Sequence, residues 1–161
     1  MAELLAWMEA SVLGVFMRES GVWTYGIVNL GHILGISSLF GSLLILDLHL
    51  VGLWRRVPLA ALSRATVPVA QGGFTLAVIT GIGMLSTNGT EYIGNPFLAI
   101  KFSAIGLGLI NVWVLSRLAG WRVRDQRELS TSERRHLAIA GAVSLCCWLT
   151  AVGAGRMIGY W

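Results

Sequence analysis

The sequence predicts an all-α integral membrane four-helix bundle with an N-terminal amphipathic helix at the interface. Two observations predict it. Hydrophobic residues make up 55% of the 161 residues and charged ones only 12%, where soluble domains carry about 25% charged residues. The apolar residues also fall into four stretches long enough to cross a bilayer, which takes about 20 residues each. A chain of this length forms one transmembrane domain, residues 1–161, with no room for a separate soluble module.

Residues 3–18 carry Leu4, Leu5, Trp7, Met8, Val12, Leu13, Val15 and Phe16, broken by Glu3, Glu9, Ser11 and Arg18. The segment is too short and too polar to span, and reads as an amphipathic helix lying in the interface. Its early acids and missing basic region are unlike a cleavable signal peptide. Glu19-Ser20-Gly21 ends it. The first span is expected over 22–53, with Trp23 and Tyr25 at one interface and Trp54 at the other. Arg55-Arg56-Val57-Pro58 closes it. The second span is expected over 66–86, with Pro68 in its first turn, where the missing N–H does no harm. Turn residues fill TNGTEYIGNP. The third span starts at Pro96 and runs to 118. A charged connection follows to Arg135, and the fourth span covers 136–158.

Nine of the twelve basic residues lie in segments 54–66 and 117–136, while segment 87–96 holds only Glu91. Cytoplasmic connections carry the excess Lys and Arg. The expected location is therefore the bacterial inner membrane, with both termini and the amphipathic helix extracytoplasmic. The same distribution reads as topology, not as nucleic-acid binding, despite the net charge of +4.

Gly31, Gly35, Ser38 and Ser42 form one small-residue stripe, as close helix packing requires. That packing is read as internal to the bundle, with a homo-oligomer as the other option. Cys146 and Cys147 are neighbours on a helix and point apart, so they read as small packing residues. No Gly-rich phosphate loop, HExxH helix or CxxC pair appears. No triad accompanies a serine, and polar lining residues are too few for a channel or pump. Catalysis by this chain alone is not expected.

Three ionisable side chains interrupt the spans: His32, Lys101 and Arg156. Such groups are functional-site candidates by default. His32 lies ten residues past Val22, roughly 15 Å deep. Lys101 is on the order of 8 Å past Pro96, and Arg156 is at similar depth before Tyr160. Two cations above a deeper imidazole suit an anionic amphipathic cofactor. Haem b would use His32 as its metal ligand, with propionates on Lys101 or Arg156. A quinol would exchange a proton with His32. The structural alternative has His32 bonded across the bundle to Asn29, Gln71, Thr75 or Asn111, with Lys101 and Arg156 snorkelling to lipid phosphates. His49 and His136 lie too far from His32 to share an iron, and both read as solvated. Asp47 and Arg117, at matching depth, are expected to form a structural ion pair.

The stretches RESGVWTYGIVNLGHILGISSLFGSLLILDLHLVGL, TGIGMLSTNGTEYIGNPFLAIKF and SLCCWLTAVGAGRMIGYW resemble a bacterial family of small four-span proteins catalogued as a domain of unknown function. The shared features are His32 with Gly35, Asp47-Leu48, Asn95-Pro96 with Lys101, Asn111, and Gly155-Arg156. The resemblance implies four spans and an inner-membrane location. More distantly the chain resembles small cytochrome b and copper-resistance membrane domains, in which an early-span histidine binds haem. It departs from them at Gly26, where proline is expected, and at Ser116, where a third-span histidine would help. It departs from the four-span family at His49, where that family favours arginine. The leading expectation is an accessory or anchor subunit, surrounded by the lipid bilayer and other membrane protein subunits. Its rival is an electron-transfer protein binding haem b or quinol near His32. A transporter of a small solute or ion is the weakest of the three.

Overall fold

The computed structural model describes residues 2–161. Among them the secondary structure is entirely helical. The helices are α1 (Ala2–Ala10), α2 (Val12–Glu19), α3 (Val22–Val51), α4 (Leu59–Thr87), α5 (Pro96–Arg117), α6 (Ala119–Val123) and α7 (Thr131–Met157). Short 3₁₀ turns occupy Gly89–Tyr92 and Ile158–Tyr160. α3, α4, α5 and the stretch Thr131–Tyr160 are each long and apolar enough to cross a membrane. The chain is an all-α protein of the multi-pass membrane type.

Several boundaries differ from expectation for local reasons. The N-terminal segment forms two helices, because Ser11 caps α2 by accepting the Gly14 N–H at 3.2 Å. α4 starts at Leu59, so Pro68 lies in its interior and not in its first turn. The proline with which the helix begins is Pro58, whose carbonyl accepts the Leu62 N–H at 3.2 Å. Pro68 leaves the Arg64 carbonyl without its usual amide donor, a loss that membrane helices tolerate. α7 begins at Thr131 because Ser130 and Glu133 form a reciprocal capping box. α3 stops at Val51, where Gly52 takes φ +126. Its N–H bonds to the His49 carbonyl, and the Leu53 N–H to the Leu48 carbonyl, both at 3.0 Å. That pairing is the Schellman arrangement.

The chain divides into two compact units. The first comprises residues up to Leu39 together with Gln71–Pro96. Here α3 and α4 meet backbone to backbone. A Cβ on Gly35 would stand 2.7 Å from the Ala77 nitrogen, and one on Gly73 would stand 2.5 Å from the Leu39 nitrogen. The small residues expected to pack inside the bundle do so, at least over Gly31, Gly35 and Ser38. Leu5 and Met17 are buried from α1 and α2. Arg18 fastens α2 by donating to the Thr87 carbonyl and the Glu9 carbonyl, each at 2.9 Å. The Glu9 carboxylate accepts the Thr90 N–H at 2.7 Å.

The second unit comprises Phe40–Ala70 and Phe97–Trp161. Its apolar core joins Leu46, Leu50, Leu59, Leu115, Leu137 and Ala140. Buried Asn111 donates to the Ala140 carbonyl at 2.9 Å, tying α5 to α7. Trp148 packs on Gly108, 3.3 Å from where its Cβ would be. Cys146 is exposed and Cys147 half-buried, and both thiols are free.

Candidate functional site

His32 belongs to the first unit and is half-buried on α3. On α4 it meets Thr80, with Nδ1 to Oγ1 at 3.1 Å. Thr80 was not among the partners expected from the sequence, which has no pattern that marks it. The Thr80 hydroxyl already donates to the Leu76 carbonyl at 2.6 Å. Its oxygen is therefore free to accept from His32 Nδ1. Gly81 makes room for the ring, since a Cβ there would stand 3.1 Å from Cε1. On α4, one hydroxyl thus bonds the imidazole and one glycine gives it room.

Lys101 and Arg156 belong to the second unit. Lys101 reaches from α5 across Gly155 of α7, with Cδ, Cε and Nζ all within 3.7 Å of where a Gly155 Cβ would be. Its ammonium forms no hydrogen bond or ion pair among the described residues. Arg156 is exposed and turns along the chain to Tyr160 instead. Its guanidinium bonds the Tyr160 hydroxyl and lies 4.8 Å from the ring centre. Lys101 therefore packs on the residue next to Arg156 in the chain, while Arg156 itself engages Tyr160. Among the described residues neither forms an ion pair with an acid.

The expected Asp47–Arg117 ion pair is absent. Arg117 is exposed and lies over the Trp113 ring at 4.8 Å. Asp47 is only 2% exposed. The Ser144 hydroxyl serves its carboxyl, and Oδ2 forms no hydrogen bond. Gly141 lets α7 approach so closely that a Cβ there would be 3.0 Å from the Asp47 carbonyl oxygen. Matching depth along two helices did not place the two side chains on facing sides.

His49 is also not merely solvated. Its Nε2 donates to the Val57 carbonyl at 2.7 Å, across the turn after α3, and its Nδ1 is buried without a partner. His136 is exposed, as expected. Among the described residues, no three His, Cys, Asp or Glu side chains gather as a metal site would need.

Outside the spans, the Thr90 backbone N–H holds the Glu9 carboxyl below its ordinary range, with the Thr90 side chain and Arg18 adding to the effect. Burial pushes the Tyr92 phenol up, helped by nearby Tyr25 and Glu91.

Comparison with protein-family models, with curated proteins and with solved structures finds no match.

Proposed function

We propose that the chain is a small accessory or anchor subunit of the bacterial inner membrane that packs against a partner's transmembrane helix through the middle of α4. The observation that carries this reading is Gln71. It is the thirteenth of the 29 residues of α4 and is exposed. Its backbone carbonyl accepts the Thr75 hydroxyl at 2.9 Å, but its side-chain amide bonds nothing among the described residues. An amide left unsatisfied in hydrocarbon costs about 2–7 kcal/mol. A hydrogen bond across a helix interface offsets that cost. The next residue, Gly72, has open space where a Cβ would be. Glycine in a helix interior costs about 1 kcal/mol relative to alanine, and close approach of another backbone accounts for its use. The basic connections face the cytoplasm in this reading, which puts both termini outside.

Affinity capture from native membranes tests it. The expected result is a stoichiometric membrane partner that is lost from Gln71→Leu and Gly72→Leu. A monodisperse monomer without a partner, or a partner kept by both variants, overturns it.

A second reading, a haem or quinol site at His32, is favoured by one specific observation. A ligating histidine typically donates its other ring N–H to an oxygen acceptor, as His32 does to Thr80. An absorption spectrum decides the haem version. A Soret band abolished by His32→Ala supports it, and no band after haem reconstitution removes it.

A further inference from the structure

We propose that an arginine-lined cavity in the second unit binds the phosphate headgroup of an anionic phospholipid. The cavity measures about 1040 Å³ and lies between the turn after α3, the start of α4, and residues 124–138. Small-molecule sites span about 300–1,000 Å³, so it is large enough for more than one phosphate. Seven arginines line it against only two acids, Asp125 and Glu128. Asp125 pairs with Arg64 at 2.9 Å, and Glu133 neutralises Arg127 at 2.7 Å.

The other five arginines keep their charge. Arg55 and Arg134 each use Nε on a backbone carbonyl, of Gly52 at 3.2 Å and Leu129 at 3.0 Å. Arg124 uses Nε on the Ser63 hydroxyl at 3.0 Å. Neutral acceptors orient these guanidiniums without cancelling them. Arg56 and Arg135 are exposed and form no hydrogen bond or ion pair among the described residues. Guanidinium forks match phosphate oxygens in pairs. The topology rule asks only for positive charge somewhere in these connections. It does not ask for seven guanidiniums around one cavity.

The walls identify the source of the phosphate. Leu50, Leu59, Leu129 and Leu137 line the same space. An occupant that satisfies both linings carries anionic oxygens and hydrocarbon together. The cavity also lies where spanning helices give way to charged connections, which is headgroup level. Basic pockets at this level bind anionic lipid headgroups.

Native mass spectrometry of the full chain in detergent provides the test. It is titrated in turn with dioleoyl phosphatidylglycerol, tetraoleoyl cardiolipin, dioleoyl phosphatidylcholine and inorganic pyrophosphate. The two anionic lipids should bind and survive detergent removal, and phosphatidylcholine should not. Arg56→Gln with Arg135→Gln should weaken the anionic lipids on the order of tenfold, with a smaller loss from each single change. These exposed side chains bond nothing among the described residues, so the circular dichroism should be unchanged. Arg122→Gln, exposed and outside the cavity, should bind as the unaltered chain does. Unaltered binding by the double variant overturns the proposal, as does an equal loss in Arg122→Gln. Pyrophosphate binding as tightly as the lipids overturns the lipid assignment in favour of a free phosphate. The proposal rests on the membrane reading but not on the docking face at Gln71. Gln71→Leu should therefore keep its lipid even where it loses a partner protein.

Discussion

The Lys101 side chain lies across Gly155, with its Cε and Nζ 3.6 Å from where a Cβ on that glycine would be. That distance is ordinary van der Waals contact. Gly155→Ala should therefore leave the thermal unfolding midpoint nearly unchanged. Gly155→Leu should push the lysine outward and raise its reactivity toward an amine-modifying reagent, read by peptide mass spectrometry. Equal lysine labelling in all three proteins would show that Gly155 does not set the position of Lys101.

Gly35 is the opposite case. Its Cβ would collide with backbone atoms of α4 at 2.7 and 2.9 Å, and backbone cannot turn aside as a side chain can. Gly35→Ala should destabilise by about 1–3 kcal/mol. Gly26→Ala, where the added methyl meets nothing, should cause no loss. Thermal unfolding of both variants in one detergent gives the ranking.

The two bonded histidines should hold opposite tautomers. His32 donates from Nδ1 to Thr80, and His49 donates from Nε2 to the Val57 carbonyl. Nitrogen-15 spectra of histidine-labelled protein should resolve one ring of each kind. Thr80→Val removes the acceptor and should mix the His32 tautomers without touching His49. A His32 ring protonated at Nε2 in the unaltered protein would contradict the assignment.

Asp47 and Arg117 should be energetically independent, since one is buried beside Ser144 and the other lies on Trp113. Asp47→Ala strands the Ser144 hydroxyl and should cost about 1–3 kcal/mol. Asp47→Asn, which keeps a hydrogen-bonding oxygen, should cost less. Arg117→Gln should add to either change with a coupling energy within about 0.5 kcal/mol of zero. A large coupling in that double-mutant cycle would restore the ion pair.

The Glu9–Thr90 contact should depend on pH. The folded carboxyl titrates below its unfolded value. Its contribution is therefore complete above the unfolded pKa and is lost as pH falls through the lower, folded one. Hydrogen exchange of residues 2–19 and 88–92 should accelerate across that acid window. Glu9→Gln should exchange quickly at every pH, with a flatter profile.

The apolar spans were legible because lipid demands length and low charge, and both show in composition. The start of α4 is hidden because the sequence holds two prolines that suit a first turn, and Pro58, not Pro68, stands at the true start. The start of α7 has a readable signal in Ser130-x-x-Glu133, hidden among the charged residues that precede the apolar run. The site was less legible. His32 stood out as an ionisable group in an apolar helix, but its partner depends on the rotation of α4. The arginines were visible as a topology signal. Their gathering around one cavity depends on how three separate segments fold together, which no local pattern encodes.

The clasp on the N-terminal helices has a consequence for how the protein is made. Glu9 meets Thr90 across 81 positions of chain, and Arg18 meets Thr87 across 69. At about 5–20 residues per second, a ribosome takes roughly 4–16 seconds to travel from one end of the clasp to the other. Throughout that interval α1 and α2 have been synthesised and their anchor has not. They wait as surface-seeking helices until α4 is threaded through the bilayer and presents its end. Closing the clasp thus waits for α4, and its timing reports that the second span is in place.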